Sequence, residues 1–339
     1  MRFFTVIFFV FCLFGKELSA QTRLDYWGDT ETLLQDQASL IFEEAYRMLA
    51  AYPPGANVSP ERKLALYSLD AVLHDTRLDK GPAFMSYMKR VTNDVLTGLQ
   101  RSKPTGKEVH VFRFYNMGFI VKTASVTVGI DLVRGGRAGS HYISDTLMRS
   151  IAEQCDILFI THRHGDHADL SVVQIFREQG KEVIVPDEFW KDMTPQPQLR
   201  VLRGAGMIRE EIRLPGKNER ITVHVYPGYQ GDLANNVYLI TLPEGKTIMH
   251  TGDQTHYEDL ADKVNSSRIK VDALLAGCAA AMQVIVPGVN PSVVFTGHEN
   301  EMGHTVDHRE PYWLSFRRTQ EINVPYILLA WGESYVLKP

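Results

Sequence analysis

The spacing of apolar residues changes twice along the chain. Met1–Ala20 begins with Arg2, runs apolar from Phe3 to Phe14 and ends on Lys16-Glu17-Leu18-Ser19-Ala20. A basic start, a short apolar stretch and a small final residue predict a signal peptide over 1–20, since a helix needs about 20 apolar residues to span a bilayer. From Thr30 to Ala51 apolar positions recur at helical spacing, with Asp29 or Thr30 as cap and Pro53-Pro54-Gly55 as stop. Ser59-Pro60-Glu61 opens a second helix, with Pro at its first position and Leu64, Leu66, Leu69, Val72 and Leu73 as its inner face. A third runs from about Pro82 to Leu99 and stops before Lys103-Pro104-Thr105-Gly106. The segment 21–105 therefore predicts a helical N-terminal extension that packs on the following domain or shapes its entrance. Its lone His74 reads as structural.

At Glu108 the period becomes two. Val109–Phe114, Gly118–Lys122 and Val126–Val133 predict consecutive strands, and a short apolar run at Ile157–Ile160 predicts a buried one. Leu170 to Gln179 predicts a helix. Beyond it, Glu182–Pro186, Arg220–Tyr226, Val237–Leu242, Thr247–His250, Val271–Leu275 and Val293–Gly297 predict strands, with a short helix or loop near Trp190–Met193. Pro311 to Arg318 suits a helix, and Val324–Ala330 and Ser334–Leu337 closing strands. Helices alternating with strands over 106–339 predict one large mixed domain.

Between the buried strand and the helix lies Thr161-His162-Arg163-His164-Gly165-Asp166-His167-Ala168-Asp169-Leu170. Two His one residue apart can point the same way from an extended segment and chelate one ion, and an Asp-His pair just beyond can turn to a second. Imidazole with carboxylate suits zinc, manganese or iron better than magnesium or calcium.

This H-x-H-x-D-H segment resembles the signature of the metallo-β-lactamase-fold hydrolase superfamily. Its Asp-His-Ala-Asp tail and the wide spacing of later motifs look most like the lactonase and phospholipase D-like branches. The resemblance implies an α+β fold over 106–339, a four-layer αββα sandwich with metal ligands at one edge. It implies metal ligands His162, His164, Asp166, His167, Asp253 of the Thr251-Gly252-Asp253 turn, and His298 after Val293–Gly297, with Asp253 shared between two ions. It also suggests that Asp131, at the end of a strand, orients a metal-binding His; a turn-capping role fits that position equally. One position departs from the pattern. Where the family carries a third His for the first ion, this chain has Gln230, and His224 falls too early. That implies fewer protein ligands and more water there. His250 is a further candidate for supporting a ligand.

The expected activity is hydrolysis of an ester, lactone, amide or phosphodiester by metal-activated water, with one or two Zn2+ (or Mn2+ or Fe2+) and Asp166 or Asp253 holding the nucleophile and taking its proton. The polar stretch Glu299–Glu310 follows a ligand directly, so His304 and His308 are candidate substrate-binding residues, with Arg309 beside them. A non-catalytic metal- or ligand-binding protein with an incomplete first site is the rival reading. A metal-dependent oxidoreductase on the same scaffold is a third, without any support for a flavin partner.

Composition narrows the partners. Lys and Arg number 36 against 40 Asp and Glu, a net charge of −4, so no basic field favours nucleic acid. The substrate expected is a small molecule, and no other stretch is apolar enough to span a membrane. Export to the periplasm or beyond follows from the leader. Cys155 and Cys278 sit beside apolar runs and read as buried free thiols, although export would permit a disulfide.

Overall fold

A computed structural model describes residues 29–137, 140–186 and 198–339; the expected leader and the Trp190–Met193 segment lie outside them. Helices come first: α1 (Thr30–Ala51), α2 (Pro60–Leu73) and α3 (Pro82–Arg101). The antiparallel strands β1 (Val109–Arg113), β2 (Phe119–Lys122) and β3 (Thr127–Ile130) follow, then a small ladder of β4 (Gly136–Arg137) and β5 (Ser140–His141). Alternation sets in with α4 (Asp145–Gln154), β6 (Ile157–Phe159), α5 (Leu170–Glu178), β7 (Glu182–Val185) and β8 (Leu199–Val201). The second half opens as a meander of β9 (Ile208–Arg213), β10 (Arg220–Gln230), β11 (Leu233–Thr241) and β12 (Thr247–His250). It continues with α6 (Tyr257–Ser267), β13 (Val271–Gly277), α7 (Met282–Val289), β14 (Pro291–Gly297), α8 (Tyr312–Thr319), β15 (Tyr326–Ile327) and β16 (Ser334–Leu337).

Two seven-stranded sheets result, in the orders β16-β1-β2-β3-β6-β7-β8 and β15-β14-β13-β12-β11-β10-β9. Strand residues alternate between two apolar environments, which is why the sheets stack. Val111, Val121, Val128 and Phe159 of the first sheet share a core with Val223, Tyr238, Ile248, Leu275 and Phe295 of the second. Their neighbours point outward into helices. Phe112, Ile120, Leu158 and Val183 pack under α1 to α5, and Leu239, Met249, Leu274 and Val294 pack under α6 and α7. The layers are α, β, β, α, each sheet buried on both faces.

The first three helices share one core with the sheet beneath them. Phe84, Met88, Val91 and Leu99 lie in the same cluster as Phe112, Phe114 and Trp331. Arg62 of α2, itself buried, donates to the Glu333 carboxylate and to the carbonyl oxygens of Tyr52 and Leu328. Asp29 and Ser59 cap α1 and α2 by accepting backbone N–H groups.

Several expectations change. Leu64 is 59 % exposed, not part of the inner face of α2, because Ala65, Leu66 and Leu69 already fill that face. The strands expected over Arg220–Tyr226 and Val237–Leu242 are longer: β10 and β11 pair on to Gln230 and Leu233, turning at Gly231 with φ 56°. The strand expected over Val126–Val133 stops at Ile130, where Asp131 turns the chain with φ 49°. The closing strand expected over Val324–Ala330 is only Tyr326–Ile327, paired to β14. Helices α4, α6 and α7 were not foreseen.

Candidate metal centre

Parallel pairing puts strand ends in line. β3 runs beside β6, and β12, β13 and β14 run side by side, so the loops leaving their carboxyl ends meet at one edge of the sandwich. Those loops carry Asp131, residues 161–167, Gly252-Asp253 and His298. Thr161 ties the two sheets together, because Asn236 N–H donates to its carbonyl oxygen at 2.8 Å. Gly252 must be glycine: its φ is 54°, and a Cβ would stand 2.3 Å from Asn235 Oδ1 and 2.6 Å from Thr161 Oγ1.

The expected ligands fall into two groups that share one carboxylate. Asp166, His167, Asp253 and His298 form one, and His162, His164 and Asp253 the other; within each, one donor atom per residue lies within 4.8 Å of the rest. Asp253 Oδ2 is the common point. It lies 3.2 Å from His167 Nε2, 3.5 Å from His298 Nε2 and 3.9 Å from His162 Nε2. His298 Nε2 is also 3.1 Å from Asp166 Oδ2. The Nε2 atoms of His162 and His167 are buried without a hydrogen-bond partner. Two buried ring nitrogens turned toward a shared carboxylate, without a hydrogen-bond partner, are what a divalent cation requires, so the residues fit one.

Outer groups fix how the imidazoles face. His167 Nδ1 donates to Asp131 Oδ2 at 2.8 Å, leaving Nε2 for a cation. Thr161 Oγ1 donates to the same carboxylate at 2.6 Å and lies 3.1 Å from His162 Nδ1, which can donate to it. One buried Asp131 therefore orients two candidate ligands. Asn116 does the same for Asp166, donating from Nδ2 to its carbonyl oxygen at 2.9 Å and its Oδ2 at 3.2 Å. Glu310 Oε2 stands 3.4 Å behind His298 Nδ1. Asn116, Asp131, His298 and Asn300 all have positive φ, of 53°, 49°, 74° and 57°. Backbone strain is thus gathered around these residues, each held by partners.

Protonation follows from this crowding. Burial and the nearby His167 push His162 down to about 3, so it is neutral and ready to ligate. Burial alone would also strip His167 and His298, yet Asp253 and Asp166 outweigh it and hold both well above the usual imidazole range. The charged imidazoles in turn keep Asp253 well below the carboxylate range despite its burial. A cation would replace those protons.

Gln230 occupies the place where a third imidazole was expected. Its Nε2 donates to Asp253 Oδ2 at 3.1 Å. His224 lies in β10 opposite Leu239, outside the ligand groups. His250 accepts Gly252 N–H on Nδ1 at 3.1 Å and so donates from Nε2 to Met117 O at 3.0 Å, bracing the turn that carries Asp253. His304 stands 3.9 Å from Glu310 and groups with His298. His308 is 74 % exposed and belongs to none of the ligand groups. Arg309 does not face the cleft: it is buried, paired with Asp79 and bonded to Leu73 O. His74 bridges carbonyl oxygens of Asp70 and Arg309 at 2.7 and 2.9 Å. Asn116, Thr161, Glu310 and Tyr257 escaped the sequence reading. Only Glu310, in the polar stretch after His298, carried a signal that could have found it.

A cleft of about 140 Å³ opens over the centre, lined by Gln230, Asp253, Tyr257, His298 and Glu310 among others. Among the described residues, no helix is long and apolar enough to cross a membrane.

No family model and no curated protein sequence matches the chain. Solved structures do. A metallo hydrolase, Igni18, from the archaeon Ignicoccus hospitalis is similar over 68 % of this chain and 99 % of its own, at 16 % identity and a TM-score of 0.52. A possible metal-dependent hydrolase from Veillonella parvula covers 68 % and 98 %, at 13 % identity and 0.49. A putative zinc-dependent hydrolase of the metallo-β-lactamase superfamily from Thermotoga maritima covers 63 % and 86 %, at 13 % identity and 0.38. Two helix-backed sheets with loops converging at one edge, and the order of the ligand motifs along the chain, give this protein the metallo-β-lactamase fold.

Proposed function

We propose that this protein is a metal-dependent hydrolase of a small molecule. The observation that carries the reading is the meeting of Asp166, His167, Asp253 and His298, from three separate segments, with the buried Nε2 of His167 left without a hydrogen-bond partner. A divalent cation bound there lowers the pKa of water toward neutrality and polarises a carbonyl or phosphoryl oxygen. The chain supplies the rest. Asp166 and Asp253 stay ionised, so either carboxylate can accept a hydrogen bond from the attacking water and take its proton. Tyr257 lines the cleft, and burial pushes its phenol up to about 12, so at neutral pH it keeps an O–H to donate to a substrate or leaving-group oxygen. His304, half-buried beside Glu310, stands at the rim as a candidate contact for the substrate.

The bond cleaved is an ester, lactone, amide or phosphodiester, and zinc is the metal that this donor set suits best, with manganese or iron next. Export completes the proposal: Met1–Ala20 has the composition of a signal peptide, and sequencing the mature N-terminus from the periplasmic or secreted fraction checks it.

The central test measures metal content and turnover together across lactone, ester, phosphodiester and β-lactam substrates. Asp253→Ala, at the carboxylate both groups share, should remove both, and His162→Ala should remove turnover. Turnover that survives complete metal loss refutes the hydrolase reading. Metal binding without turnover on any of the four classes favours the rival, a binding protein, for which Gln230 in a ligand's place is the supporting observation.

A further inference from the structure

The two ligand groups are unequal, and Gln230 makes them so. Four protein donors surround one position: Asp166, His167, Asp253 and His298. The other has three, His162, His164 and Asp253. The fourth donor it would need is replaced by a primary amide whose N–H, not a lone pair, points at Asp253 Oδ2 from 3.1 Å. That N–H occupies a lone pair of the very oxygen both groups share. Gln230 Oε1 is buried and has no partner, so nothing pins the amide in the opposite orientation. Reversing it would set an amide oxygen against the Asp253 carboxylate oxygen, which is repulsive until a cation separates them. Even then a neutral amide oxygen is a weak donor to zinc beside imidazole.

Preorganisation points the same way. His167 is locked by Asp131, His298 is backed by Glu310 and Asp166 is held by Asn116. His164 is exposed, and among the described residues no hydrogen bond holds its ring. A ligand that must be ordered on binding contributes less affinity than one already fixed.

We propose that the centre is asymmetric: it binds one divalent cation tightly at Asp166, His167, Asp253 and His298, and a second weakly and exchangeably at His162, His164 and Asp253, with Gln230 setting the difference. Fewer protein donors at the second position would leave room there for substrate, on the side of the cleft that Gln230 lines. The inference rests on the metal-centre reading above.

The test strips the full-length protein with a chelator and titrates it with Zn2+, following bound metal by equilibrium dialysis and calorimetry. Wild type should take up one equivalent tightly and a second at least about tenfold more weakly. Gln230→His, which supplies the missing lone pair, and the near-isosteric Gln230→Glu should each strengthen the second equivalent and leave the first unchanged. Either variant suffices if the other fails to fold, and the wild-type titration needs neither. Two equivalents of equal affinity in wild type, or a second equivalent unmoved in a folded variant of either kind, overturns the asymmetry. A wild type that binds no zinc, or a His298→Ala variant that keeps the tight equivalent, instead overturns the reading on which it rests.

Discussion

Asp70 of α2 works as a cap for a helix it does not belong to. The helix α8 begins after Pro311, which offers no side-chain acceptor to its first N–H groups. Asp70 supplies one from outside: Oδ1 accepts Tyr312 N–H at 2.8 Å and Oδ2 accepts Trp313 N–H at 3.1 Å. Oδ1 also accepts from Asn300 Nδ2 at 2.9 Å, two residues beyond the candidate ligand His298. Burial raises the pKa of this carboxyl, and the three donors only partly offset that. Removing the carboxylate leaves three donors unanswered, two of them buried. A bond to a charged group contributes about 1.5–3 kcal/mol and a lost cap costs about 0.5–2 kcal/mol. Because these bonds share one carboxylate, the expected cost of Asp70→Ala is about 3–4 kcal/mol rather than their sum. In a domain of this size that lowers Tm by roughly 5–6 °C. Asp70→Asn keeps one acceptor oxygen but presents an amide to the remaining donors, so about half that loss is expected. The segment from His298 to Glu310 should loosen as well, weakening the proposed tight zinc equivalent by about tenfold. Differential scanning calorimetry and zinc titration read the two effects. An Asp70→Ala protein with unchanged Tm and unchanged zinc affinity would show that the N-terminal helices do not hold this segment, and would sink the argument.

Other outcomes follow from the same geometry. Asp131→Asn should reduce zinc affinity by about 10–100-fold, because it disturbs the carboxylate that orients His167 and, through Thr161, His162; unchanged affinity would show the contact to be incidental. In metal-free protein His167 and His298 titrate above their ordinary 6.5, so their stabilising contribution is complete below pH 6.5 and fades as pH rises through the folded values. Asp166 and Asp253 titrate below 3.8, so theirs stands above 3.8 and fades as pH falls further. Tm of stripped protein should therefore drop from pH 6.5 upward, and zinc should flatten that slope; a profile indifferent to zinc contradicts the assignment. Burial pushes the Cys155 thiol up to about 12 and Cys278 well above its usual range, and both are unpaired. Native protein should leave these two thiols unmodified by iodoacetamide at pH 8 until denaturant exposes them, as peptide mass mapping would report.

Much of this protein could be read from residue order. Period-two runs such as Val109–Phe114 mark strands because a sheet buried on both faces needs apolar side chains on alternate sides, and Ser59-Pro60 marks a helix start by local chemistry alone. His162 to His167 are legible because their ligand spacing fits in one turn. Asp253 and His298 could be named only through resemblance. What brings Asp253 within 4 Å of both His167 and His298 is the parallel pairing of distant strands, which leaves no trace in local spacing. The structure also decided the support. Asn116, Glu310 and Asp70 are ordinary polar residues in sequence, and each acquires its role only when a remote partner is folded against it. Gln230 shows both sides: its position announced a missing donor, but only the packing of β10 against the Asp253 turn decided that its amide donates to the shared carboxylate. Local sequence sets which conformations and ligands are available; the long-range strand order determines which of them meet, because that pairing is stabilised by the whole core rather than by any one segment.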